Sequence, residues 1–163
     1  MSVAATVERI CDRVGHRLPK LAIVLATGLQ AVDGDAPDAT VFSYADLPGF
    51  PKTSVPSHLG KLLVGKLAGR TVALLESHDD YYTSGRFDVM REPLEVAAGL
   101  GCDKVLITAA AHSLKPELSP GQLVLVGSHI VFGAPATHAV DALPSYDPVM
   151  IERLKASAER MEA

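Results

Sequence analysis

A short polar segment near the middle of the chain concentrates side chains that could do chemistry. It runs from Glu76 to Tyr82 and holds one histidine, three carboxylates and two phenols in seven residues. Imidazole, carboxylate and phenol groups are the ones that catalytic and ligand-binding loops use most often. The segment is therefore either such a loop or a solvated loop that its tyrosines anchor, and both interpretations stay open.

A second stretch of interest runs from Lys104 to Val126. Its aliphatic run Val105–Ile107 is typical of a strand that is covered on both faces, and Thr108–Ala111 carry little side-chain volume where that strand ends. The pattern predicts a further strand within Gln122–Phe132. A small ligand could approach the backbone at Thr108–Ala111.

A third strand end follows Leu21–Leu25, a continuous aliphatic run that favours a central strand and leads into Ala26, Thr27 and Gly28. A small-residue loop after a strand is one form of phosphate cradle. This segment lacks both strong phosphate fingerprints, since it has no GxGxxG and no following Gly-Lys-Ser/Thr. A helix cap or a turn is therefore the alternative interpretation.

The remaining periodic segments predict the elements that position these strand ends. Helices are predicted at Val3–Val14, Met90–Leu100 and Tyr146–Met161, a hairpin at Lys61–Leu67 and Arg70–Leu75, and an edge strand within Asp33–Asp46. Strands that alternate with helices indicate an α/β fold with a mixed, largely parallel central sheet flanked by helices. Ligands gather at the carboxyl ends of strands in such sheets, so the loops Ala26–Gly28, Ser77–Tyr82 and Ala109–Ser113 are candidates for one site.

Composition and charge limit the function classes. The 163 residues are 48% hydrophobic, which suits one core, so we expect a single domain over residues 1–163. The net charge is −4 and the 15 Lys and Arg residues are scattered along the chain, so no nucleic-acid partner is expected.

Cysteine usage and hydropathy predict the compartment. Cys11 and Cys102 are far apart and form no CxxC pattern, so neither a disulfide framework nor a zinc knuckle is indicated. The N-terminus has no signal-peptide pattern, and the aliphatic run Leu21–Ala26 is too short to cross a bilayer. We expect a cytoplasmic protein without a membrane partner.

These segments together resemble the trimeric branch of the purine nucleoside phosphorylase family across nearly the whole chain. Leu21–Leu29 is similar to the family's strand and Gly-Ser-Gly phosphate loop, and Tyr44–Gly60 to its proline-rich segment ending in Gly-His-Ala-Gly. Ser77–Tyr82 falls where the family has Gly-Arg-x-His-x-Tyr, and Thr108–Leu114 where it has Thr-Asn-Ala/Ser-Ala-Gly-Gly/Ser-Leu. The resemblance implies phosphorolysis, in which phosphate attacks the anomeric carbon of a purine nucleoside and gives ribose 1-phosphate and the free base.

The resemblance also assigns ligand contacts, and these are carried over position by position. The residues on the phosphate side are Thr27, His58, His78 and, through its backbone N–H, Ala110. The residues on the nucleoside side are Tyr82, Asp80 and Ala109. Phosphate and purine nucleoside are thus the implied partners, and neither a cofactor nor a metal ion is expected.

Three of these positions depart from the family's pattern. His78 stands in the place of an Arg, whose bidentate fork on phosphate a neutral imidazole cannot reproduce. Asp80 replaces a ribose-side His and Ala109 replaces the Asn beside the nucleoside. A carboxylate about 4 Å from an anion costs about 4 kcal/mol per unit charge at an effective dielectric of about 20. We therefore expect this chain to be inactive as a phosphorylase on its own.

Three functions stay open. The first is active phosphorolysis, which requires either that a second chain supplies the remaining half of the family fold or that this chain is a fragment. Family members continue beyond the point matched by Ala163, so the C-terminal half of the family fold is expected to be absent. The second is a non-catalytic relative that binds a ligand or acts through oligomerisation. An exposed sheet edge favours self-association as a homo-oligomer, and a trimer is the form that the resemblance implies. The third is a cleft converted to metal binding by His58, His78, Asp80 and His112.

Overall fold

The structure is a computed structural model that describes residues 2–25, 28–51, 60–76, 85–86, 88–128 and 146–162. The chain divides into two compact units, Met1–Ala111 and His112–Ala163. The expected single domain over residues 1–163 stays a prediction.

A five-stranded sheet forms the centre of the first unit, in the order β2-β3-β4-β1-β5. The strands are β1 (Leu21–Leu25), β2 (Thr40–Ser43), β3 (Lys61–Leu67), β4 (Arg70–Glu76) and β5 (Lys104–Ile107). β1 lies between β4 and β5 and runs parallel to both, whereas β3 runs antiparallel to β2 and β4. The predicted mixed α/β sheet is confirmed, with β2 as the predicted edge strand.

Two helices belong to the same unit, α1 (Val3–Val14) and α2 (Arg91–Gly99). The apolar spacing of α1 places Ile10 and Val14 in the core. The helix ends at Gly15, which takes a φ of 64° and donates its backbone N–H to the carbonyl oxygen of Cys11 at 2.8 Å. Glycine suits this position because it adopts a positive φ without a steric penalty.

Apolar side chains fill the space on both faces of the sheet. One cluster joins Ile10 of α1 and Val96 of α2 to inward-facing residues of the strands. The other cluster joins Leu74 of β4 to Val32 and Ala36, which belong to the segment after β1. Alternate side chains of a strand point to opposite faces, so aliphatic residues at successive positions serve both clusters.

The β3–β4 hairpin follows the predicted pattern. Its two-residue turn consists of Ala68 at a φ of 47° and Gly69 at a φ of 77°. Positive φ at both central positions is the requirement of the turn type that matches the twist of two antiparallel strands. The turn fixes the register, so Lys61 lies opposite Glu76 at the other end of the hairpin.

Two expectations for the stretch from Lys104 to Val126 were wrong. β5 is not covered on both faces, since Val105 and Ile107 are exposed, the latter by 64%. Residues 122–128 form no strand, and Leu123 is 86% exposed; residues 129–132 of the predicted range lie outside the described residues. An aliphatic run forms a strand only where a neighbouring strand accepts its hydrogen bonds, and no such neighbour for these residues is among those described.

The second unit contains α3 (Pro148–Glu162), close to the predicted helix. The Asp147 carboxylate accepts a hydrogen bond of 2.9 Å from the backbone N–H of Met150, which is the predicted N-cap. Pro148 fills the first helical position, where its missing N–H costs nothing. Of the helices in the described ranges, none is both long enough and apolar enough to span a membrane.

Candidate functional site at the carboxyl end of the sheet

The register of the parallel strands brings three strand ends together. Leu25, the last residue of β1, pairs with Glu76, the last residue of β4. Val24 pairs with Ile107, the last residue of β5. Neighbouring strands lie about 4.8 Å apart, so the chain leaves all three strands at nearly the same level. We call this region, marked by Leu25, Glu76 and Ile107, the carboxyl end of the sheet.

The end of β5 is tied to β1 by Thr108. Its backbone N–H and its hydroxyl both donate to the carbonyl oxygen of Val24, at 3.0 Å and 2.9 Å. The following Ala109 and Ala110 are exposed. Their small side chains leave the backbone accessible at this point, as the composition of the stretch predicted.

The end of β1 leads toward a glycine with special backbone geometry. Gly28 has a φ of 92°, which residues other than glycine rarely adopt. Glycine at such a position lets the chain turn sharply after a strand, which is a feature of loops that bring backbone groups to a ligand.

A pair of opposite charges lies at the same end of the sheet. β3 runs antiparallel to β4, so its first residue Lys61 is the register partner of Glu76. The Lys61 Nζ lies 3.9 Å from the Glu76 Oε2. The Lys61 side chain is 46% exposed, whereas Glu76 as a residue is only 5% exposed. One of the three strand ends, that of β4, therefore carries a buried carboxylate.

Tyr44 is a buried residue bonded to the backbone just before β3. It is 2% exposed, its ring packs edge-on against Phe50 with ring centroids 4.8 Å apart, and its backbone N–H donates to the Gly60 carbonyl oxygen at 2.9 Å. Burial raises the pKa of the Tyr44 phenol, and the negative charge of Glu76 raises it further. The phenol is therefore neutral at physiological pH, and its oxygen is buried away from solvent.

The structure describes two of the residues assigned to the site from the sequence, Ala109 and Ala110. Both follow β5 at the carboxyl end of the sheet, on one of the three predicted loops. The assigned residues that lie outside the described ranges are Thr27, His58, His78, Asp80 and Tyr82. Their roles stay predictions.

Reasoning from the sequence missed the positions of Glu76, Lys61 and Tyr44. Glu76 counted as one carboxylate of a polar segment, although it is the buried last residue of β4. The available signal was the unbroken run TVALLE, in which a glutamate completes an aliphatic strand. Lys61 becomes its partner only through the register of the hairpin, which no local pattern specifies.

The proposed metal cluster finds no support in the described ranges. His112 is exposed, and His58, His78 and Asp80 lie outside those ranges. Among the described residues, no group of three or more metal-ligating side chains comes together. At the carboxyl end of the described sheet, a ligand can reach the backbone at Ala109–Ala110 and the half-exposed Lys61 side chain, whereas Tyr44 and Glu76 are buried.

The chain matches a known protein family over most of its length. The match is to the phosphorylase superfamily and covers residues 20–163.

Curated relatives of this chain include several purine nucleoside phosphorylases. Purine nucleoside phosphorylase 1 of Geobacillus stearothermophilus is 31% identical over 112 residues, which cover 69% of this chain and 41% of the relative. The purine nucleoside phosphorylase of Mycobacterium tuberculosis is 29% identical over 153 residues, or 91% of this chain and 57% of the relative. The chain thus spans 41% and 57% of the length of these two relatives.

Solved structures show the same likeness. Isoform 2 of the purine nucleoside phosphorylase from Schistosoma mansoni, in complex with cytosine and ribose-1-phosphate, superposes with a TM-score of 0.68 at 30% identity and covers 78% of this chain and 45% of that one. A purine nucleoside phosphorylase in complex with ribose-1-phosphate gives a TM-score of 0.64 at 26% identity. The carboxyl end of the sheet, the family match and these relatives agree, and the chain belongs to the phosphorylase superfamily and resembles the N-terminal part of purine nucleoside phosphorylases.

Proposed function

We propose that this chain is a purine nucleoside phosphorylase relative that binds phosphate and purine nucleoside at the carboxyl end of its sheet but does not carry out phosphorolysis on its own. The observation that carries the proposal is the register of β1, β4 and β5, whose carboxyl ends stand side by side. Relatives with the same likeness are described with ribose-1-phosphate bound. Ligands of α/β sheets bind at such strand ends.

The proposed site has a phosphate side and a nucleoside side. The phosphate side consists of Thr27, His58, His78 and the backbone N–H of Ala110. The nucleoside side consists of Tyr82, Asp80 and Ala109. The exposed position of Ala109 and Ala110 after β5 supports access of a ligand to that backbone.

The loss of turnover follows from three of these positions. Phosphorolysis needs preorganised donors that stabilise the charge that develops on phosphate and base as the glycosidic bond breaks. His78 cannot supply the bidentate fork of an arginine, and Asp80 brings a negative charge where the family has an imidazole. Ala109 lacks the amide that an asparagine would offer to the nucleoside.

Two measurements test the proposal together. Equilibrium titration with inosine, and separately with inorganic phosphate, measures binding. Incubation with inosine or guanosine plus phosphate, followed by detection of ribose 1-phosphate and free base, measures turnover. Saturable binding of inosine without product is the expected result. If inosine does not bind, the proposed nucleoside binding is wrong. If ribose 1-phosphate forms steadily, the proposed lack of phosphorolysis is wrong.

A second candidate is phosphorolysis by an assembled form of the chain, which the family match favours. β2 and β5 are the outer strands of the described sheet, and an outer strand can pair with another copy. Light scattering coupled to size-exclusion chromatography tests for the homo-oligomer, with a trimer as the expected form. Activity that rises with protein concentration in parallel with assembly would favour this second candidate.

A further inference from the structure

Thr108, the first residue after β5, is bonded twice to the neighbouring strand β1. Its backbone N–H and its hydroxyl donate to the same acceptor, the carbonyl oxygen of Val24, at 3.0 Å and 2.9 Å. The N–H bond continues the pairing of the two strands, in which Val24 is the register partner of Ile107. The hydroxyl bond is additional, since a residue without a side-chain donor could make only the first one.

The hydroxyl bond restricts the direction in which the chain leaves β5. Each residue has two soft backbone dihedral angles, φ and ψ. Rotation about φ of Thr108 would swing its side chain relative to its N–H, so a hydroxyl held on the same oxygen as the N–H limits that rotation. A β-branched side chain also has few χ1 rotamers, so the restraint on the hydroxyl is passed to the backbone. Ala110 follows two residues later and lies within about 7 Å of Thr108.

The two residues after Thr108 present exposed backbone donors. Ala109 and Ala110 are exposed, and within the described part of the chain neither N–H has a backbone acceptor. Backbone that is exposed and makes few contacts keeps one direction only if a nearby residue is fixed. The nearest preceding residue with such bonds is Thr108.

We infer that Thr108 is a positioning residue: its hydroxyl bond to the Val24 carbonyl holds the backbone N–H of Ala110 in place to bind phosphate. The inference rests on the proposed function, because the Ala110 N–H is a phosphate donor of that same site. A donor that is already ordered binds more tightly than a mobile one, since less freedom is lost when the ligand binds.

The test compares variants of the whole chain by titration with inorganic phosphate. Thr108→Val removes the hydroxyl and keeps the branched shape, while the Val24 carbonyl still accepts the backbone N–H, so this acceptor is not left unpaired. Thr108→Ser keeps the hydroxyl. Thr71→Val is the matched control, because Thr71 is also half-buried but lies near the amino end of β4. The NMR order parameter of the Ala110 N–H measures its mobility directly.

Thr108→Val is expected to weaken phosphate binding about fivefold and to lower the order parameter of Ala110. Thr108→Ser and Thr71→Val are expected to change phosphate affinity less than about twofold. The original chain keeps the inference testable if Thr108→Val does not fold. Its Ala110 N–H is expected to be nearly as rigid as the strands, and an order parameter below about 0.6 contradicts the inference.

The inference is overturned if Thr108→Val binds phosphate as tightly as the original chain, or if Thr71→Val weakens binding equally. It is also overturned if Thr108→Ser loses the affinity, or if the affinity of Thr108→Val falls while the Ala110 order parameter does not. Phosphate binding by the original chain in these cases leaves the proposed function intact. If the original chain binds neither phosphate nor inosine, the proposed function is wrong and the inference is wrong with it.

Discussion

Tyr44 and Gly60 are held together by a backbone hydrogen bond of 2.9 Å, in which the Tyr44 N–H donates to the Gly60 carbonyl oxygen. The Tyr44 ring lies so close to Gly60 that a Cβ on residue 60 would overlap it. The two residues flank the proline-rich segment that contains His58, and Gly60 immediately precedes β3. The absence of a side chain at residue 60 therefore lets the Tyr44 ring pack against the backbone just before β3.

Gly60→Ala is expected to destabilise the chain by about 1–3 kcal/mol, because the added methyl group forces the buried Tyr44 ring out of its packing with Phe50. Urea denaturation followed by far-UV circular dichroism measures the change. Gly34→Ala is the control, since a Cβ there meets no atom within 4 Å. Equal stability of the two variants would mean that the ring yields without cost.

Val7 and Gly99 make a similar close contact between α1 and α2. A methyl group on residue 99 would lie 2.7 Å from the Cγ2 of Val7. Gly99→Ala is expected to cost about 1–2 kcal/mol, because overpacking outweighs the gain of up to about 1 kcal/mol in helix propensity. In a Val7→Ala background, the smaller side chain leaves space for the methyl group on residue 99. Gly99→Ala is therefore expected to stabilise the chain in that background. A double-mutant cycle of unfolding free energies tests this change of sign, and simple additivity would contradict it.

The hairpin turn carries a strained residue. Ala68 has a φ of 47°, a conformation that costs an alanine roughly 1–2 kcal/mol and that asparagine and glycine adopt more readily. Ala68→Asn, which creates an Asn-Gly turn with Gly69, is expected to raise the free energy of unfolding by about 0.5–1 kcal/mol. Ala68→Val is expected to lower it, because a β-branched side chain is least tolerated at positive φ. Thermal unfolding of both variants measures the two changes, and shifts of the same sign would contradict the turn geometry.

Local sequence patterns predicted individual helices and strands well, but predicted strand pairing and burial less well. The apolar spacing of Val3–Val14 and the aliphatic runs on either side of Ala68-Gly69 depend on residues a few positions apart, and those elements formed as expected. The burial of Glu76 beside Lys61 depends on the register of β4 with β1 and β3, which involves residues distant in sequence. The aliphatic residues 123–126 have the local pattern of a strand, but no described strand pairs with them, and local pattern alone does not supply a partner.

Part of the candidate site could also be predicted from sequence. Small residues at Ala109–Ala110 after an aliphatic run indicated an accessible strand end, and the structure places them at the carboxyl end of the sheet. The charge at that end could not be predicted, because a glutamate that ends a strand is usually solvated. Only packing around the strand end decides whether it is buried.

Cys102 offers a test of local electrostatics at the amino end of β5. Burial raises the pKa of its thiol to about 11, and the neighbouring Asp103 adds to the rise, while Lys20 opposes it. The thiolate is the reactive form, so alkylation by iodoacetamide at pH 8 is expected to be about two hundredfold slower than for an ordinary thiol with a pKa of about 8.5. A Cys11→Ser background restricts the reaction to Cys102, and mass spectrometry measures its rate.

The rate of Cys102 alkylation is expected to rise with pH until about 11, the pKa of the folded thiol. Asp103→Asn removes a negative charge that disfavours the thiolate, so it should lower the pKa and speed the reaction, whereas Lys20→Met should slow it. Because the folded chain holds this proton more tightly than the unfolded chain, the stabilisation is complete below about pH 8.5 and is lost as the pH rises toward 11. A rate profile with its midpoint near pH 8.5, insensitive to both variants, would show that Cys102 is solvated and that this end of β5 is open.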